Sequence, residues 1–210
     1  QSGRLSLYGP PGTGKTAFGR YLAQQMNAPL LVKRASDLLG MYVGENEQNI
    51  ARAFAQAEAE GAVLLIDEVD SFLQDRQGAQ RSWEVSLVNE MLTQMESFGG
   101  VFIASTNLMG QLDPAVMRRF DLKVKLDFLR PQQAAQLLLR HCQQQGLQEP
   151  GPAELAQLQS LSNLTPGDFA AVLRQSRLRP LRNCSNWVQA LQGECAIKPD
   201  AHIKHMGFLH

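Results

Sequence analysis

Gly9-Pro10-Pro11-Gly12-Thr13-Gly14-Lys15-Thr16 decides how this 210-residue chain folds. The stretch fits GxxxxGK[ST], and it lies between an apolar run of strand length, Leu5 to Tyr8, and a helical pattern, Ala17 to Met26. That strand-to-helix setting is what a phosphate-cradling loop requires. Glycines let the backbone curl so that successive N–H groups and a helix N-terminus face a phosphate chain. Pro11, Gly12, Thr13, Gly14, Lys15, Thr16 and Ala17 are the candidate binding residues. Lys15 supplies a point charge to the outer phosphates, and the Thr16 hydroxyl is a candidate Mg²⁺ ligand.

Outward from the loop, short apolar runs recur at Leu30 to Val32, Val63 to Ile66, Val101 to Ala104 and Leu122 to Leu126. Asn46 to Glu60 and Trp83 to Phe98 carry helical spacing between them. The alternation predicts an α/β fold with a parallel five-stranded sheet flanked by helices. From Pro131 onward the spacing is helical only: Pro131 to Gln145, Pro152 to Leu161, Pro166 to Leu178, and Ser185 to Gln192. Thr165 reads as an N-cap, with Pro166 at the first helical position and Asp168 in the first turn. The expected organisation is an α/β core over residues 1–129, a small all-helical lid over 130–195 and a loose tail over 196–210.

Leu64-Leu65-Ile66-Asp67-Glu68 puts two acids at the end of a buried apolar strand, where an unpaired charge is costly unless a cation or substrate uses it. Asp67 is the expected Mg²⁺ partner. Glu68 is then placed to orient or deprotonate an attacking water.

These two motifs, with those that follow, resemble an AAA+ ATPase, and more narrowly the protein-remodelling clade that includes katanin, spastin and the proteasomal ATPases. The resemblance runs from about Arg4 to Leu178. It implies ATP and Mg²⁺ as ligands, ATP hydrolysis as the activity, a homo-oligomeric, hexameric ring as the assembly, and a polypeptide as the substrate to be remodelled or threaded. By the same resemblance Val101-Phe102-Ile103-Ala104-Ser105-Thr106-Asn107 is the strand between the two motif strands, and Asn107 is its polar sensor. Leu112 to Asp121 resembles the segment carrying arginine fingers, which reach the γ-phosphate held by a neighbouring subunit. The clade separates its two arginines by a Pro-Gly pair, whereas Arg118 and Arg119 are adjacent here. Either is a candidate for the finger acting in trans, with Arg118 favoured. Gly40-Met41-Tyr42-Val43-Gly44-Glu45 resembles a substrate-gripping pore loop, with Tyr42 and Val43 as its contacts; an exposed aromatic between glycines grips a chain without sequence specificity. Gln74 to Ser82, with Asp75, Arg76 and Arg81, sits where a second pore loop would fall. Gly167 and Asp168 match a Gly-Ala-Asp-like element of the clade, and Arg174 reads as surface.

Composition narrows the partners. Lys+Arg 20 against Asp+Glu 20 gives a formal net charge of +0, so no global field draws the chain to nucleic acid or acidic lipid, and no nucleic-acid partner is expected. No apolar run reaches the roughly 18 to 20 residues that span a bilayer. Cys142, Cys184 and Cys195 form no CxxC pair and read as isolated thiols of a reducing, cytoplasmic setting. His202, His205 and His210 in the tail lack partners at metal-site spacing. A chain that enters an apolar strand directly after Gln1-Ser2-Gly3 reads as a piece of something longer. Two alternatives stand beside the main reading: an AAA+ ATPase acting on nucleic acid, and a nucleotide-switched assembly module with little turnover.

Overall fold

The computed structural model describes residues 2–40, 42, 44–71, 73 and 82–198. By Cα proximity the chain forms two compact units, one of Gln1–Pro10 with Lys15–Leu126, the other of Pro11–Gly14 with Asp127–His210.

The first unit alternates strand and helix: β1 (Gly3–Tyr8), α1 (Lys15–Gln25), β2 (Leu30–Arg34), α2 (Ala35–Leu38), α3 (Glu45–Glu60), β3 (Val63–Asp67), α4 (Ser82–Ser97), β4 (Val101–Thr106), α5 (Pro114–Arg119) and β5 (Leu122–Lys125). The strands form one sheet in the order β2-β3-β4-β1-β5, with every pairing parallel. This is the five-stranded α/β fold expected from the sequence. β4 lies between β1 and β3, so the strand leading into the glycine-rich loop and the strand ending in Asp67 are not direct neighbours.

Side chains alternate across a strand, and here the alternation builds a core on each face. Leu64 and Ile66 of β3 join Phe102 and Ala104 of β4 in a cluster with Ile50 and Phe54 of α3 and Leu87 and Met91 of α4. Phe102 packs on Phe54 and Phe120 at ring separations of 5.1 and 6.2 Å. The intervening residues Val63, Leu65, Val101 and Ile103 face the other way and cluster with Leu7 and Ala23. With both faces covered, β3 reads as a continuous apolar run, the pattern of a central parallel strand. The run of buried positions ends at its last residue, Asp67.

The second unit's helices are α6 (Pro131–Gln144), α7 (Pro152–Gln159), α8 (Pro166–Gln175) and α9 (Cys184–Ala196). Leu138, Leu158, Phe169, Trp187 and Leu191 are its principal buried apolar side chains. Thr165 occupies the N-cap of α8 as expected. The polar pattern is richer than a simple cap, because the buried Asp168 carboxylate accepts from both the Thr165 N–H at 2.7 Å and the Thr165 hydroxyl at 2.9 Å. The same carboxylate takes a third donor, the Lys198 ammonium, at 2.6 Å. Such charge-assisted bonds tie the end of α9 to the start of α8.

The isolated-thiol reading is corrected here: Cys142 of α6 and Cys184 of α9 are bonded, 42 residues apart with Cα atoms 6.4 Å apart. Cys195 stays free and buried, and burial pushes its thiol up to about 11.

His141 sits among the aromatic rings of this unit, stacked on Trp187 at 5.0 Å and on Phe169 at 5.7 Å. Its buried Nδ1 has no hydrogen-bond partner. Burial, with Arg140 adding to it, holds its pKa below the ordinary 6.5. The unfolded chain thus takes up the His141 proton before the folded unit does, so this contribution to stability is full above pH 6.5 and falls as the pH drops toward the depressed folded value. Melting temperature should fall from pH 6.5 toward about 5, above the range where carboxylates titrate, and His141→Gln should flatten the slope. An unchanged slope in that variant would contradict the assignment.

Candidate active site

Three strand ends carry the site residues in the first unit. β1 runs into Gly9, whose φ is 135°. A Cβ there would collide with the Leu126 carbonyl, so only glycine allows the chain to leave the sheet at this point. Gly12 and Gly14 also have positive φ, at 79° and 95°. Lys15 and Thr16 then open α1. Of the other loop positions, Ala17 falls in the first unit with α1, and Pro11, Gly12, Thr13 and Gly14 are assigned to the second.

The buried Lys15 ammonium donates to the Gly9 carbonyl at 2.8 Å, the Pro10 carbonyl at 3.0 Å and Asn107 Oδ1 at 2.8 Å. Residues 92 positions apart in sequence thereby meet. Burial lowers the Lys15 pKa, opposed by the charges of Asp67 and Asp70. The Thr16 hydroxyl donates to Asp67 Oδ2 at 2.7 Å. Ser105, at the end of β4, donates its hydroxyl to the other oxygen, Asp67 Oδ1.

Glu68 follows β3 with φ 59°, a left-handed conformation uncommon for a residue with a side chain. Its N–H donates to Asp67 Oδ1 at 3.1 Å and its carbonyl accepts from the Ser71 N–H at 3.1 Å. The backbone is thus held while the exposed carboxylate makes no hydrogen bond or ion pair among the described residues.

Asp70, Ser105 and Thr106 belong to this cluster and sequence reasoning did not single them out. Asp70 lies in a single 3-10 turn, Val69–Ser71, directly after Glu68. Its Oδ1 accepts from the Thr106 hydroxyl at 2.8 Å and from the Asn107 N–H at 3.3 Å. Thr106 Oγ1 in turn accepts from the Leu108 N–H at 3.0 Å. Two signals in the sequence pointed to them: a third acid in the Asp67-Glu68-Val69-Asp70 run, and two hydroxyl residues ending an apolar strand.

The donor set fits a Mg–nucleotide. Thr16 Oγ1 and the Asp67 carboxylate are adjacent hard oxygens, the ligand type that Mg²⁺ takes directly or through water. Lys15 offers three N–H donors to phosphate oxygens that would compete with the two carbonyls and the amide oxygen it now contacts.

Arg118 and Arg119 form the last turn of α5. That helix starts at Asp113, whose Oδ1 accepts from the Ala115 N–H at 2.7 Å. The two arginines differ in their contacts. Arg119 Nε donates to Glu96 of α4 in an ion pair, and the exposed Arg118 guanidinium has no partner among the described residues. Tyr42 is 74% exposed; Val43 lies outside the described residues, as do Asp75, Arg76 and Arg81. No group of three or more metal-ligating side chains occurs among the described residues, and no described helix is long and apolar enough to cross a membrane.

The sequence matches the ATPase family associated with various cellular activities (AAA) over residues 5–128. It is 33% identical over 190 residues to the Spastin of Drosophila melanogaster, an alignment covering 85% of this chain and 24% of that protein. The Spastins of Drosophila persimilis and Drosophila mojavensis give the same identity and coverage. The chain therefore spans about a quarter of the length of these curated relatives.

Proposed function

The chain belongs to the AAA family of ATPases, and on that premise we propose that it binds Mg–ATP at the Gly9–Thr16 loop, hydrolyses it, and works as one subunit of a homo-oligomeric, hexameric ring that remodels or threads a polypeptide. The observation that carries the catalytic half is the meeting of three separated stretches: Lys15 on Asn107, and Thr16 on Asp67.

In this reading Pro11 to Ala17 wrap the phosphates with backbone N–H groups, and Lys15 holds the outer ones. Mg²⁺, held by Thr16 and through water by Asp67, would neutralise charge on the phosphate oxygens. Glu68 takes a proton from the attacking water, for which its unpaired carboxylate is free. Asn107 exchanges its Lys15 contact for one to the γ-phosphate or to that water. The Arg119–Glu96 ion pair favours Arg118 as the finger offered to a neighbour's γ-phosphate, where a rigid guanidinium fork suits spreading charge. Tyr42, exposed beside Gly44, grips substrate. A core over 1–129, a lid over 130–195 and a tail over 196–210 remain the proposed domain division.

Asp70 serves as a positioning residue, since its carboxylate fixes both Thr106 and the Asn107 backbone. Asp70→Ala should lower kcat on the order of a hundredfold, the cost of a displacement of about 1 Å in a reacting group, with a much smaller change in KM. Asp70→Asn keeps the Oδ1 acceptor and should restore most of the rate. Equal losses in the two variants would contradict the positioning role.

Ring assembly with shared sites is tested by mixing. Arg118→Ala subunits keep an intact phosphate loop, and Lys15→Ala subunits keep an intact finger. Combined, they should recover part of the ATPase rate that neither has alone. No recovery at any ratio would contradict a finger acting in trans.

A further inference from the structure

The helical unit carries a basic groove that the nucleotide chemistry leaves unused. Arg174, Arg177, Arg179 and Arg182 fall within nine residues, and the stretch from Phe169 to Gly193 contains no Asp or Glu. All four arginines are exposed, and Leu178 among them is 92% exposed. None of the four guanidinium groups has an ion-pair or hydrogen-bond partner among the described residues. In a chain of zero formal net charge, four like charges so close together repel one another with no ion pair among the described residues to offset it.

Beside this run, α8 and α9 border a groove of about 670 Å³. The half-buried Leu181 and Ala190 give it an apolar lining over the buried Val172, and Arg179, Arg182 and Gln189 give it polar, exposed edges. Glu194 also lines it, with Oε1 accepting from Gln175 Nε2 at 2.7 Å. Two arginines against one amide-bonded carboxylate leave the edge positive.

We propose that this groove docks an acidic segment of a partner polypeptide, with an apolar side chain against Leu181 and Ala190 and flanking carboxylates on Arg179 and Arg182. Guanidinium forks match carboxylates in bidentate geometry, so the charge complementarity carries orientation as well as attraction. No aromatic ring lines the groove, so it lacks the stacking platform on which single-stranded nucleic acid relies. An apolar lining with a few charged edges is instead the build of a peptide-anchoring pocket.

The test is fluorescence anisotropy on the whole chain with a labelled peptide of glutamates around a single leucine. Binding should saturate and weaken with added salt. Arg179→Glu with Arg182→Glu should weaken it at least about tenfold, without changing the ATPase rate, whereas Arg140→Glu on the exposed surface of α6 should leave binding unchanged. A peptide with glutamine in place of glutamate should not bind. Lys15→Ala should bind the acidic peptide as the parent does, which separates this surface from the nucleotide site. Absence of binding, equal binding by the Arg179→Glu, Arg182→Glu variant, or tighter binding of a single-stranded oligonucleotide than of the peptide would each overturn the proposal.

Discussion

Lys15→Ala is expected to remove ATP binding, lowering affinity at least about a hundredfold. The ammonium sits at the mouth of the loop, donating to the Gly9 and Pro10 carbonyls, and alanine leaves no charge in its place. Hydrogen bonds from a charged donor contribute about 1.5 to 3 kcal/mol each, and about 1.4 kcal/mol is tenfold in affinity. Losing one such bond with its charge in a site of lowered dielectric reaches a hundredfold. In the free protein the same substitution strips a donor from the half-buried Asn107 Oδ1, a loss below the about 1 to 3 kcal/mol of a fully buried unmet acceptor. A modest fall in melting temperature should accompany the loss. Calorimetric titration with Mg–ATP checks the affinity and a thermal melt the stability, and micromolar affinity retained in a folded Lys15→Ala chain would sink the phosphate-loop assignment.

Glu68→Gln should separate binding from turnover. Glutamine keeps the size of the side chain and leaves the backbone bonds at this position in place, the Glu68 N–H on Asp67 and the Ser71 N–H on the Glu68 carbonyl. It removes the proton acceptor. General-base catalysis contributes roughly 10²- to 10⁴-fold, so phosphate release should fall within that range while ATP affinity stays near the parent's. The variant should also favour assembly, because ATP persists in its sites. Turnover at the parent rate would mean that another group activates the water.

How much of this was legible in the sequence depended on the reach of each signal. The five strands were readable because each carries several apolar residues within a short stretch, and α1, α3 and α4 because eleven residues or more carry a full helical period. α2 and α5, at four and six residues, are too short to show one. For α5 the Asp113-Pro114 start was the available signal. The meeting of Thr16 with Asp67 was foreseeable because the proposed phosphate and Mg²⁺ chemistry calls for those types, with Lys15, in that order. Asp70, Ser105 and Thr106 were signalled only by a third acid and by two hydroxyls ending an apolar strand, which do not show what those side chains hold. Long-range pairings were hidden for the same reason. Nothing in the spacing of Cys142 and Cys184, or of Glu96 and Arg119, shows that the fold brings them together.

In the proposed mechanism hydrolysis depends on assembly, and one measurement tests both. It is the steady-state rate of phosphate release per subunit, in Mg–ATP, against the concentration of the chain. A site completed by Arg118 of a neighbour predicts a rate per subunit that rises with concentration and then levels as subunits associate. A substantial rate that stays flat from the most dilute sample upward would contradict it.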